Sequence, residues 1–445
     1  GQSISAVSGI ITYYGDGSQL TGVESGVSDF VASGTLSNGQ TVIINTDGTV
    51  KAVSGSTQSV GNSSVYATGE AQRIAAVFDS TNNRVVIAFA DSGNNAYGTA
   101  VVGTVSGTSI SFGSEVVYNS SDSNYESIGM AFDSTNGKVV IAYRDAGNSN
   151  YGTAVVGTVS GTSISFGTPA VYNTANVYYV SATYDSTNEK VVIVYRDTSN
   201  SNYGTARVGT VSGTSISFGS ATVFESASTG YHSAVYDSAN GKVVIAYRDN
   251  GNSEYGTAVV GTVSGTSISF GTPVVYESAS IDYASATYDS TNEKVVIAYR
   301  DAGNSNYGTA IVGTVSGTSI SFGSPVVFNS GTTLYTYAAY DSNAQKVVIA
   351  YRDDGNSSYT TVVVGTVSGT SISFGSEVVV ESTNSAHQTL TFDSTNNVVV
   401  VVYKVNSSPY GKARVFKNAS TNLTSENYIG IAAESISNGA TGKVT

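Results

Sequence analysis

Residues 157–167 read GTVSGTSISFG, and the same eleven letters stand at 103–113, 209–219, 261–271, 313–323 and 365–375, at a first spacing of 54 and then four of 52. Longer stretches repeat too: YRDAGNSNYGTAVVGTVSGTSISFG at 143–167 returns at 299–323, with Ile311 where the first copy has Val155. A period near 50 residues means that one supersecondary unit is stacked on copies of itself, so the repeat decides the architecture before any single residue does.

A second marker, an aromatic followed by Asp-Ser, stands at Asp79, Asp133, Asp185, Asp237, Asp289, Asp341 and Asp393, seven copies against six of GTVSGTSISFG. The missing copy should follow YGKARVF (410–416), where the chain instead reads KNASTNLTSENY. Upstream, SGSTQSVGNSSVY (54–66) aligns at a shift of 52 with SGTSISFGSEVVY (106–118), so the N-terminal side supplies the absent strand.

Each unit reads as four strands, A to D. In the third these are YVSATYD, a turn at STNE, KVVIVYRD, a turn at TSNSN, YGTARVGTVSG, and TSISFG leading into the next unit. Strand B is apolar at consecutive positions, as a strand covered on both faces requires. The expected fold is all-β: a seven-bladed β-propeller over 54–417 with overlapping ring closure, in which 54–66 gives the last strand of blade seven. An open solenoid of the same units is the alternative, and the displaced strand counts against it. The segments 1–53 and 418–445 resemble each other, Ser37-Asn38-Gly39 answering Ser437-Asn438-Gly439, and carry Asn-Gly and Asp-Gly hairpin signals. They are expected to pair into one small β module that attaches the propeller to something else.

Composition agrees. The chain has 445 residues, 40% hydrophobic and only 11% charged, with 49 Gly and 31 Tyr, which excludes a disordered chain and leaves little room for helix. A net charge of −13 disfavours nucleic acid and anionic membranes as partners. Without Cys there is no disulfide, thiolate metal site or cysteine nucleophile. No charged-then-apolar leader opens the chain, its apolar runs are too short for a membrane span, and a start at Gly1 suggests processing or trimming. Sequons at Asn62, Asn356 and Asn418 carry little weight in a chain so rich in Ser and Asn.

The stretches ITYYGDGSQLTGV (11–23), SGTLSNGQTVIINTDGTV (33–50) and NYIGIAAESISNGATGKV (427–444), with the VVGTVSGTSISFG repeats, resemble virion appendage proteins, tail-fibre or decoration type, of tailed bacteriophages from marine and cyanobacterial hosts. The resemblance implies a virion or extracellular location, other virion proteins as partners through the terminal module, several copies on the particle, and a host-surface polysaccharide as a ligand. It brings no enzymatic residues. A secreted bacterial adhesin or filament subunit, and a purely architectural decoration protein, are the competing readings.

Pairing about the STN turn keeps i + j constant, so Asp185 faces Lys190 and Tyr179 faces Arg196. The same arithmetic sets Tyr231 opposite Arg248, Tyr283 opposite Arg300, Tyr335 opposite Arg352, Ser127 opposite Arg144, Arg73 opposite Ala90 and His387 opposite Lys404. A cation, often with an aromatic, thus recurs near the inner mouth of every blade. Such a ring could grip an anionic or sugar ligand, Arg by forked hydrogen bonds and Tyr by stacking. Alternatively each Arg pairs with a carboxylate such as Asp197 or Asp249, or one in the adjacent blade, and fastens blade to blade. The Asp-Ser marker reads as an Asx-turn. DAGNSN (145–150) offers oxygens for Ca²⁺ but lacks the carboxylates of an EF-hand loop; no cofactor is expected. Catalysis would rest on His232 or His387, neither of which recurs, and the reading is non-enzymatic.

Overall fold

The computed structural model describes residues 28–53, 55–123, 128–406, 410–421, 428–432 and 435–444. The stretch 11–23 and Ser127 lie outside them. No α-helix occurs among the described residues; strands dominate, with single 3-10 turns such as Ala146–Asn148. The chain divides into two compact units, residues 1–57 with 419–445, and residues 58–418. Gly55–Ser56 pairs with Ser420–Thr421, so residues 54–57, given to the ring by repeat alignment, go with the chain ends instead.

In the smaller unit Ser28–Val31 pairs with Thr441–Val444, and Thr41–Ile44 pairs with both Val50–Ala52 and Tyr428–Ile431. The two Ser-Asn-Gly motifs meet reciprocally. Gly39 N donates to Ala432 O at 2.7 Å and Gly439 N to Ala32 O at 2.7 Å, while Leu36 and Ile436 exchange both backbone hydrogen bonds at 2.8 Å. Sequence likeness between the ends is therefore a local two-fold, closed over a core of Ala32, Leu36, Val42, Val50, Ala432, Ile436 and Val444.

The larger unit repeats one pattern. In its third copy, strand B (Lys190–Asp197) lies between strand A (177–185) and strand C (Tyr203–Ser212). Residues 191–195 of B are fully buried, as the unbroken apolar run requires. Strand D is made in two pieces, because Ser215–Phe218 covers one end of C and the start of Thr222–Asp237 covers the other. That last strand then crosses over, and its second half pairs as strand A of the next copy. TSISFG is thus half of D, and D and the following A are one continuous strand.

Aromatic rings seal copy against copy. Tyr172 of one D strand meets Tyr195 and Phe218 of the next copy at centroid distances of 5.1 and 5.9 Å, and Phe224, Tyr276 and Phe328 repeat the arrangement. Edge-to-face packing of this kind contributes about 0.5–1.5 kcal/mol per pair beyond area burial. Strict repetition of GTVSGTSISFG has physical grounds here. Gly161 holds φ +61° in the C–D turn, and a Cβ on Gly167 would lie 1.9 Å from the carbonyl oxygen of Thr214 in the next copy.

The Asp-Ser marker forms the Asx-turn its composition suggests. Asp185 Oδ1 accepts from the backbone N–H of Thr187 and Asn188 at 3.0 Å, and its Oδ2 accepts from the Asn188 side chain at 2.8 Å. One copy departs from this. Ala344 stands where that Asn should be, and the Asn418 amide, 77 residues away, donates to Asp341 Oδ2 at 2.7 Å in its stead. Asn418 is only 3% exposed, which removes it as a glycosylation site in the folded chain. Asn418→Ala leaves a buried carboxylate oxygen short of a donor and is expected to cost about 1–3 kcal/mol. Ala344→Asn in the same chain should restore most of it by refilling the local position, as urea midpoints of the single and double variants would measure.

Candidate functional site

Strand A departs from simple pairing, and the departure makes the site. Asp185 faces Lys190 as sequence arithmetic requires, but between Ser181 and Tyr178 the ladder slips by one residue. Tyr178, not Tyr179, stands opposite Arg196. The same correction applies in each described copy: Gly230 faces Arg248, Asp282 faces Arg300, Leu334 faces Arg352, Gln72 faces Ala90 and Ala386 faces Lys404. The cause is a β-bulge whose residue sits in the left-handed region: Arg73, Tyr179, Tyr231, Tyr283, Tyr335 and His387 all have φ between 50° and 52°. A bulge leaves the extra residue unpaired and re-aims its side chain.

Here the side chains are re-aimed into one cavity of about 480 Å³, walled by A strands from every copy. Tyr179, Tyr231, Tyr283 and Tyr335 follow one another around it at centroid distances of 5.1, 5.2 and 5.1 Å, and His387 stacks on Tyr335 at 5.0 Å. Arg73 completes the described wall at the same position. Serine hydroxyls tie neighbouring A strands together behind the rings, Ala234 N donating to Ser181 Oγ at 3.1 Å and Ala286 N to Ser233 Oγ at 2.9 Å. Burial pushes the phenols of Tyr231 and Tyr283 up, so both are neutral hydrogen-bonding groups.

The cations lie behind this collar rather than in it. Arg196 sits 4.7 Å over the Tyr178 ring and 4.9 Å over Tyr179, Arg248 lies 4.9 Å over Tyr231, and Arg300 lies 5.4 Å over Tyr283. Asp282 joins two of them, accepting from Arg248 Nη1 at 2.7 Å and from Arg300 Nη2. Arg144 Nε donates to Asn176, at the end of its own copy's strand D, at 2.6 Å, Arg352 pairs with Asp354 at 2.6 Å, and Lys404 pairs with Glu70. Asp197 and Asp249 are not their partners; each caps the turn after strand B, as when Asp249 Oδ1 accepts from Gly251 N at 2.9 Å. Asp145 does likewise, accepting from Ser121 Oγ at 2.7 Å and Gly147 N at 3.1 Å, and no trio of His or carboxylate side chains gathers among the described residues.

His232 follows a bulge directly. Its Nδ1 donates to the carbonyl of Tyr179 in the preceding copy at 2.9 Å, which leaves Nε2 to accept from the Thr229 hydroxyl at 2.8 Å. Both nitrogens are engaged, and burial holds the ring neutral with its pKa down to about 3.

No family model matches the sequence, and no curated protein does. Among solved structures the chain is similar to the Swd1 β-propeller domain of Myceliophteria thermophila, with TM-score 0.51 and 8% identity over 79% of this chain and 99% of that one. AofleA from Arthrobotrys oligospora gives TM-score 0.45 at 10% identity over 78% of this chain and 96% of that one. The intramolecular trans-sialidase from Ruminococcus gnavus gives TM-score 0.47 at 10% identity over 79% and 97%. The first of these likenesses gives the fold, a β-propeller, and nothing of what is bound.

An unfolded chain protonates His232 near pH 6.5 and the folded chain only near 3, so its contribution is full above pH 6.5 and is lost as pH falls through that window. Gln388 occupies the equivalent position, its amide 3.2 Å from the Ser385 hydroxyl three residues earlier. His232→Gln should therefore fold, and its urea midpoint should fall less than wild type's between pH 7 and 5. Equal slopes would show that another group carries the acid sensitivity.

Proposed function

We propose that residues 58–418 form a seven-bladed β-propeller closed by overlap, and that the protein is a non-enzymatic appendage binding glycan at the tyrosine-lined mouth. Closure is supported by the pairing of Ser59–Val60 and the start of Ser64–Asp79 with Tyr410–Lys417. It is supported again by Tyr66, which meets Phe89 at 5.3 Å and Phe112 at 5.9 Å as Tyr172 meets its own neighbours, and by the Thr395 hydroxyl, 2.6 Å from the Asn83 side chain 312 residues away.

The observation that carries the binding reading is the bulge. Left-handed φ costs a non-glycine residue roughly 1–2 kcal/mol, and Gly or Asn would hold the same backbone more cheaply. Four of the described bulges nevertheless hold Tyr, with rings presented to a common cavity. Strain kept at equivalent positions and turned to one opening is the pattern of a recognition site. Tyrosine offers flat apolar faces for sugar rings and a phenol for their hydroxyls. The non-enzymatic reading rests on the collar's composition and on His232, whose two nitrogens are spent on the fold. Display on a phage particle, with the smaller unit engaging other virion proteins, rests on the sequence resemblance alone; several copies on one particle would turn weak contacts into avidity.

A purely architectural role is the second reading, and it is favoured by the charge pair that crosses from copy to copy, Arg248 with Asp282. Substituting Tyr231→Gly and Tyr283→Gly together separates the two. Glycine suits the bulge backbone, so the variant should keep its melting curve, while affinity for a panel of host-derived and acidic polysaccharides should fall at least about tenfold, roughly 1.4 kcal/mol. Absent binding by wild type, or unfolding of the variant, would favour architecture, and binding unchanged in the variant would put any glycan site away from the collar.

A further inference from the structure

Copies of the repeat serve as templates for one another, and one position differs in a telling way. The residue before the bulge is Tyr178 in the third copy, Gly230 in the fourth, Asp282 in the fifth and Leu334 in the sixth. Asp282 faces Arg300 in its own copy and reaches Arg248 in the preceding one, so a single carboxylate bridges two guanidinium groups beside the Tyr231 ring. Shifted back by 52 residues, the same arrangement consists of Arg248, Arg196, the Tyr179 ring and, in place of the carboxylate, Gly230.

Nothing from the chain replaces that carboxylate among the described residues. A Cβ on Gly230 would lie 3.4 Å from Tyr179 Cε2 and 3.7 Å from Arg248 Nε, ordinary contact distances, so a Cβ fits there without displacement and lies beside the Tyr179 ring and the Arg248 side chain. Arg196 has no carboxylate partner among the described residues, whereas in the next copy Arg248 and Arg300 hold Asp282 through Nη1 and Nη2. Arg248 spends Nη1 on Asp282 and Nε on Asn250, while its Nη2 has Glu254 only at 4.0 Å. Gly230 is buried and the Arg248 side chain keeps 16% exposure, so the gap is approached from its arginine side.

We propose that the gap between Arg196 and Arg248 is a subsite for a carboxylate carried by the ligand, which takes the place that Asp282 takes one copy further on. Resting on the glycan reading of the mouth, this makes the ligand an acidic one: a hexuronic acid unit whose carboxylate is held between the two arginines while its ring lies against Tyr179 or Tyr231. Guanidinium suits the group because it meets a carboxylate with two parallel N–H donors.

The test is calorimetric titration of the full chain with trigalacturonic acid and with its methyl-esterified counterpart, for wild type, Gly230→Asp and Arg196→Gln. Wild type should bind the acid at least tenfold more tightly than the ester. Gly230→Asp supplies the bridge internally, so it should raise the melting midpoint and erase the preference for the acid; Arg196→Gln should erase the preference without the gain in stability. Equal binding of acid and ester by wild type would overturn the carboxylate subsite while leaving a neutral-glycan site at the mouth. An acid preference that survives Gly230→Asp, or a lowered melting midpoint in that variant, would overturn it as well. Failure of wild type to bind either trisaccharide would overturn the subsite, and the Tyr231→Gly, Tyr283→Gly polysaccharide comparison then decides separately whether the mouth binds glycan at all.

Discussion

The left-handed bulge in strand A is the constraint on which the rest of the larger unit's inner face depends. One extra residue with φ near +52° slips the A–B register, sets the preceding residue opposite the strand-B cation, and turns its own side chain toward the shared cavity. Each non-glycine bulge costs roughly 1–2 kcal/mol. Ring-to-ring contacts of about 5 Å along the collar, and guanidinium groups seated over the same tyrosines, offset part of that, since each such contact contributes about 0.5–1.5 kcal/mol. Collar, cation layer and serine ties between A strands are thus consequences of one backbone irregularity repeated around the cavity.

Much of the fold was legible in the residues. The period, the doubly covered strand B, the Asx-turns at Asp-Ser and the pairing of the chain ends follow from patterns that act within a few residues or repeat many times. The bulge was not legible, because constant i + j assumes an unbroken ladder and because tyrosine is not a residue that signals positive φ. One trace of it exists: Val177 and Val180 are both buried although three residues apart, which breaks the alternation of a regular strand. Strand D was half seen, since Phe218 and Thr222 are separated by a break that only strand C spans. The bond from Asn418 to Asp341 had no local signal beyond the missing amide at Ala344.

Function divides along the same line. Positions that are constant between copies, such as Gly161, Gly167 and the Asx aspartates, each have a structural task in the turn or at the contact with the next copy. The position before the bulge varies freely, from Tyr178 through Gly230 and Asp282 to Leu334, and with it vary the charge and the space beside the collar. A ring of near-equal copies acquires an asymmetric site by changing that one residue, without disturbing the strands that hold it. The cations first read as the site itself become its supports, and Arg196, which lacks an acid partner among the described residues, is where the proposed ligand carboxylate would stand.

The most direct measurement is a crystal structure of the full chain grown with a uronic acid oligosaccharide. The account predicts a sugar ring within the collar, packed on Tyr179 or Tyr231, with its carboxylate between Arg196 and Arg248. Sugar bound only on the outer strands or on the smaller unit, with the collar unchanged, would contradict it.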